Sequence, residues 1–269
     1  MKVQVLVATM NQNDFSKVQS MKIFSDCIYA NQANQTSYRE QNFEFGTVKM
    51  ITTETRGVGI NRNVALIYAD GDYLLFSDDD LEYVDGYEKM VAEAFENCPK
   101  ADGIIFNIVT VGYAYGCRKN LKIKRVKWYN SFNYGAVRLA VKRNSIKREG
   151  ITFSTNFGGG TKYSAGEDTL FINSMLRKGL KIFTYPVVIA TVDQSTSTWF
   201  KGYNEKFYYD KGALFSAISK FWAKPLCFQY LVRHRHHKQN GISFFKAYKL
   251  MKQGIKGYKG LIEYDKAQN

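Results

Sequence analysis

Cysteine and proline are scarce in this chain, and no apolar run is long. The four cysteines, Cys27, Cys98, Cys117 and Cys227, lie far apart and form no CxxC pair. That spacing excludes a zinc ribbon and a dense disulfide framework; it reads as ordinary buried thiols in a reducing compartment. Only 3 prolines occur in 269 residues, and no Pro/Gly/Ser-rich stretch marks a flexible linker. No run approaches the roughly 20 apolar residues that cross a bilayer. The first apolar segment, Val3 to Ala8, is broken by Gln4 and meets Asn11-Gln12-Asn13. It reads as a buried first strand and not as a signal peptide. The expectation is a protein soluble in the cytoplasm or lying on the inner face of the cell membrane. Hydrophobic residues make up 45% and aromatics 15%, enough to bury a sizeable core and to exclude global disorder.

Charge is plentiful but unevenly placed. Residues 1–112 hold 9 Lys and Arg against 16 Asp and Glu, a net of −7. Residues 113–150 hold 11 against 1, and residues 201–269 hold 14 against 4, a net of +10 each. An acidic first half does not suit a chain that coats nucleic acid. It suits a metal-binding half joined to a surface that meets an anionic acceptor or anionic lipid.

Apolar runs alternate with helical patterns through the first half, which predicts an α/β layer structure. Strands are expected over Val3–Thr9, Cys27–Ala30, Val48–Thr52, Tyr73–Phe76 and Gly103–Val111. Helices are expected around Phe15–Phe24, from Asn63 to Ala69, and over Tyr87–Asn97. In open α/β sheets ligands sit beyond the carboxyl ends of the strands. Thr9-Met10-Asn11 and Ser77-Asp78-Asp79-Asp80 both lie at such ends, so the pattern places them on one rim.

Three successive carboxylates after a buried strand repel one another unless something positive sits between them. Mg²⁺ or Mn²⁺ is the natural partner, taking one or two carboxylates together with waters and substrate phosphates. In an extended stretch Asp78 and Asp80 point to the same side, so one could hold metal while the other meets a ribose or metal-bound water. A solvated acidic loop capping the next helix is the competing reading. Downstream, Phe157-Gly158-Gly159-Gly160 runs through Ala165-Gly166 into Glu167-Asp168, where a helix begins. Either acid could simply favour the helix N-terminus, or one could face a cleft as a general base.

These residues resemble a known family. Val5 to Thr9, Arg56 to Asn63, Gly71 to Asp80 and Gly166-Glu167-Asp168-Thr169 match, in order and spacing, the family 2 inverting glycosyltransferases of the GT-A fold, including bacterial capsule and lipopolysaccharide enzymes. The likeness covers about residues 1–200. It implies a Rossmann-like mixed sheet flanked by helices, with 1–112 binding a nucleotide sugar, 113–200 forming the acceptor side, and 201–269 a basic helical extension. Thr9, Asn11, Asn31, Arg62, Asp78 and Asp79 would meet the donor, expected to be a UDP-sugar. Asp80 and Asp78 would hold Mn²⁺ or Mg²⁺. Asp168 would be the base and Glu167 would orient the acceptor, a glycan or a lipid-pyrophosphate-linked sugar in surface polysaccharide synthesis. The resemblance implies a single displacement with inversion at the anomeric carbon. Two departures stand out. The stretch after the second strand, Ile28-Tyr29-Ala30-Asn31-Gln32, lacks the family's base-reading acid. The region Thr191 to Thr196 lacks the downstream metal-binding His, which Asp193 would have to replace.

In the tail, Phe244, Tyr248, Met251, Ile255 and Tyr258 recur at helical spacing, with lysines toward the other face. A second apolar stripe runs through Leu214, Phe215, Ile218, Phe221 and Trp222. Both fit an anionic membrane surface, or packing on the rest of the protein. The cluster Lys119, Lys122, Lys124, Arg125 and Lys127 is a candidate for acceptor phosphate, ahead of the His234, His236 and His237 run. Two other functions compete. A sugar nucleotidyltransferase would want a glycine-rich basic loop where Met10 to Asn13 stands. A non-catalytic membrane or nucleic-acid module would leave the acidic motifs unexplained, and no nucleic-acid partner is expected.

Overall fold

A computed structural model describes residues 1–112, 119–193, 202–234 and 241–268, the last seven of these as backbone only. Two compact units emerge: residues 1–155 with 167–196, and residues 156–166 with 197–269.

The first unit is built on a mixed sheet. Strand β1 (Val3–Met10) pairs in parallel with β2 (Asp26–Gln32) and with β5 (Tyr73–Asp78), and β2 pairs in parallel with β4 (Gly46–Thr53). These strands read as continuous apolar runs because both of their faces are covered. Val3, Val5 and Val7 enter one core cluster with Tyr29 and Leu75, while Leu6 enters the other with Phe76 and Phe171. Along the sheet the order is β3-β4-β2-β1-β5-β9-β7-β10-β6, with β8 paired to β10. The added members are β3 (Ser37–Phe43), β6 (Leu81–Tyr83), β7 (Gly103–Val111), β8 (Lys124–Arg125), β9 (Leu139–Lys142) and β10 (Ile182–Asp193). Among the described residues the α-helices of this unit are α1 (Lys17–Ser20), α2 (Val58–Tyr68), α3 (Tyr87–Asn97), α4 (Arg143–Glu149) and α5 (Glu167–Arg177).

Several expectations are met in place: β7 and α3 have the bounds read from the sequence. Others differ. The helix expected over Phe15–Phe24 shrinks to the single turn of α1. Strand β3 was not expected at all. It is polar on both faces because it is an edge strand, folded back antiparallel on β4.

The second unit contains α6 (Glu205–Ile218), α7 (Ala223–Arg233) and α8 (Phe244–Gln268). Its helices α6 and α8 cross at glycines. A Cβ on Gly254 would lie 1.9 Å from the Tyr209 carbonyl oxygen, and one on Gly212 would lie 2.0 Å from that of Met251. Met251, Ile255, Leu214, Phe215 and Ile218 are buried within this unit. Both apolar stripes therefore pack mainly inside the protein, and the expectation that they lie on a membrane is corrected for these residues. Phe221 and Trp222 are the exceptions and stay exposed. The glycine-rich segment 156–166 packs here too: Phe157 stacks on Tyr163 at 4.7 Å, and Ser164 donates from N and Oγ to Asp210 at 3.0 and 2.6 Å.

Candidate active site

Parallel pairing sets the strand ends level. Ala8 stands opposite Asp78, and Thr9 opposite Asn31. The rim expected from sequence thus exists at the carboxyl ends of β1, β2 and β5. Thr9 Oγ1 donates to Asp79 Oδ2 at 2.6 Å, and Lys17 Nζ reaches the same oxygen at 3.1 Å. Asn11 is exposed on the loop leaving β1, held in the left-handed region at φ 54. That conformation is one Asn tolerates better than most residues. Asn31 is fully buried, and its amide is spent locally. It accepts from the Gln12 N–H at 2.9 Å and donates to Gln12 O and Thr52 Oγ1. It therefore shapes the loop after β1 and offers no free edge to a base.

Asn61 was not singled out from the sequence. It ties the rim together, donating to Thr9 O at 3.1 Å and Ala30 O at 2.7 Å. The signal for it was present in the Asn-Arg-Asn segment, yet only the fold shows which asparagine faces the strand ends. Asn63, two residues on, instead brackets the Phe153 backbone.

Arg62 is 3% exposed and grips three carboxylates. One terminal nitrogen meets Asp78 Oδ1 at 2.8 Å; the other meets Asp168 Oδ1 at 2.5 Å and Glu167 Oε1 at 3.2 Å. The guanidinium also lies 5.4 Å from the Phe153 ring centroid. Asp168 is fixed at its other oxygen as well, where Oδ2 accepts from the Ala136 N–H at 2.9 Å. Two acid motifs almost ninety residues apart are thus joined through a single buried cation. Glu167 and Asp168 stand in the first turn of α5, where the helix dipole favours negative charge.

One cation does not balance three acids, and the titration behaviour follows. Burial pushes the Glu167 carboxyl up to about 7, the neighbouring Asp168 charge adds to this, and Arg62 opposes it. Loss of hydration likewise raises Asp78 against the pull of Arg62. Burial opposes charge on Arg62, but Asp168, Asp78 and Glu167 together hold its pKa above the ordinary arginine value.

Asp79 and Asp80 form a turn between β5 and β6, so the aspartate run is not the extended stretch expected. Burial, then the charge on Asp78, raises the Asp80 carboxyl, and no salt bridge reaches Asp80 among the described residues. Asp193 ends β10, whose antiparallel pairing sets Val192 opposite Leu81, the residue after Asp80. Among the described residues no group of three or more His, Cys, Asp or Glu is close enough to hold a metal ion. Asp78 and Asp80 nevertheless offer the oxygen donors that a hard divalent cation takes, each carboxyl raised chiefly by burial.

The basic cluster lies elsewhere. Strand β8, carrying Lys124 and Arg125, pairs with Thr184 and Phe183 at the opposite end of β10 from Asp193. Through the register of β10 with β7 that is about 20 Å from Asp193, so Lys124 and Arg125 do not line this rim. Arg235, His236 and His237 lie outside the described residues, as do Cys117 and Gln194 to Thr196.

Comparison with known proteins bears on the fold. Residues 27–154 match the family model for glycosyl transferase family 2. No curated protein sequence matches the chain. Among solved structures, S. aureus TarS residues 1–349 in complex with UDP-GlcNAc is similar at 17% identity with a TM-score of 0.63. The likeness covers 87% of this chain and 72% of that one. The same TarS segment in complex with UDP matches at 15% identity and a TM-score of 0.61, covering 97% of this chain and 92% of that chain.

Proposed function

We propose that this chain is a family 2 glycosyltransferase of the GT-A fold that moves one sugar from a UDP-sugar to a hydroxyl of a glycan or lipid-pyrophosphate-linked acceptor, with inversion, in bacterial surface polysaccharide synthesis at the cytoplasmic face of the membrane. The observation that carries the reading is the Arg62 bridge between Asp78 at the end of β5 and Glu167-Asp168 at the start of α5. It sets a carboxylate for proton removal beside the acidic rim where a diphosphate would bind. The donor assignment draws on the TarS structures that hold UDP-GlcNAc and UDP.

Each group then has a task. Asp168 is held at both oxygens, by Arg62 and by the Ala136 N–H. These contacts fix its direction, as a general base requires. It takes the proton from the acceptor hydroxyl as that oxygen bonds to the anomeric carbon. The bond from that carbon to the diphosphate oxygen breaks in the same step, and UDP leaves with the electron pair. Glu167, raised to about 7, can donate as well as accept a hydrogen bond near neutral pH and orients the acceptor. Thr9, Asn11 and Asp79 contact the nucleoside diphosphate at the rim. Asp80 and Asp78 would hold Mn²⁺ or Mg²⁺, which when bound supplies charge neutralisation to the departing diphosphate.

A thermal-shift series with nucleotide sugars, each with and without Mn²⁺, tests this. Stabilisation by a UDP-sugar, at least several-fold greater with metal, is expected. Failure of every nucleotide sugar to shift the unfolding temperature would overturn the reading.

A further inference from the structure

Helix α7 is apolar on two faces. Ala223, Cys227 and Leu231 are buried toward the neighbouring helices. The opposite side presents Phe228 at 53% exposure and Val232 at 51%, with Pro225 in the same stripe. The turn leading into the helix adds Phe221 at 92% and Trp222 at 67%. The patch continues onto α8, where Phe244 meets Phe228 edge-on at 5.7 Å and adjoins Phe245, 82% exposed. A helix whose outward face is this apolar is normally covered by something.

The surrounding charge identifies the cover. From residue 211 to residue 262 the chain has 11 Lys and Arg and no Asp or Glu. Lys220, Lys224 and Arg233 flank the stripe and are exposed. An apolar protein partner would have to bury these cations, whereas an anionic bilayer pairs them with headgroups while the rings enter the interface. We infer that the outward face of α7, with Phe221, Trp222, Phe228 and Phe245, is a membrane-contact face selective for anionic lipid. This replaces the buried α6 and α8 stripes as the lipid-facing surface. It does not depend on the transfer chemistry, and donor binding in lipid-free buffer tests that separately.

The test uses the full chain with vesicles of phosphatidylcholine alone or mixed with phosphatidylglycerol. Co-sedimentation is expected only with the anionic mixture, strong near ~0.05 M salt and weakened near ~0.5 M. Phe221→Ser combined with Phe228→Ser should lower partitioning by about tenfold or more, with circular dichroism unchanged to show that the helices are kept. Trp222→Phe should remove the vesicle-induced blue shift of tryptophan emission. The inference is overturned if anionic vesicles are ignored at low salt, or if the double variant binds like the parent. Leu121 and Trp128 are exposed apolar residues of the other unit, and the inference is equally overturned if Leu121→Ser with Trp128→Ser abolishes binding while the α7 variants do not. Binding to a single-stranded oligonucleotide in place of vesicles, lost in the α7 double variant, would reassign the face to base stacking.

Discussion

Arg62 carries one positive charge and meets three carboxylates, so the site has an unbalanced negative excess in its own interior. Two predictions follow from how that excess is shared. Asp168→Asn keeps an oxygen for the Ala136 N–H but removes the proton acceptor. Transfer should fall by about 10²–10⁴-fold, while the thermal shift given by UDP-sugar persists. Transfer within tenfold of the parent would remove Asp168 from the base role. The second concerns Glu167, whose folded pKa of about 7 lies above the ordinary 4.5. Between those values the native state holds more protons than the unfolded one, so stability falls as pH rises through that window. Glu167→Gln mimics the protonated form. The ligand-free variant should therefore show a flatter dependence of unfolding temperature from pH 5 to 8 and exceed the parent on the alkaline side. Equal slopes in the two proteins would show that Glu167 is not the titrating group.

At the scale of elements, legibility tracked how locally each one is encoded. Buried parallel strands such as β1 and β5 announce themselves because both faces must be apolar. The single turn of α1 and the polar edge strand β3 carry no such pattern, so the first was overextended and the second was missed. Gly254 shows how propensity alone can mislead. In a helix interior it reads as a weakness of about 1 kcal/mol relative to Ala. Here it allows α8 to approach the Tyr209 carbonyl of α6. Gly254→Ala should therefore destabilise the protein by about 1–3 kcal/mol through overpacking, the reverse of the usual gain. A denaturant midpoint raised above the parent's would contradict the close crossing.

Across the whole molecule the charge distribution has a direction. Acidic groups concentrate in residues 1–112, where the rim of β1 and β5 lies, and cations dominate the C-terminal helices. Mixing the two signs evenly would give neither a cation-seeking rim nor an anion-seeking helix face. The division into units was less legible. The segment 156–166 belongs with α6 and α8 through contacts such as Phe157 with Tyr258 and Ser164 with Asp210. Nothing in its glycine-rich composition encodes partners so far along the chain.

The amino-acid sequence by itself determined strands β1, β2, β4, β5 and β7, the rim where Thr9 and Asp78 to Asp80 stand, and the two acid motifs. Each of these is set by local periodicity and by the rule that parallel strands end together. Only the tertiary structure decided that Arg62 joins those motifs, meeting Glu167 from 105 residues away along the chain. It likewise decided that Asn31 is spent on its own loop, and that the stripe of α8 faces α6 while the outward stripe of α7 stays half exposed. Periodicity fixes which side of an element is apolar or charged. What that side meets is set by packing between distant segments, where a single buried guanidinium or a glycine crossing outweighs the local pattern.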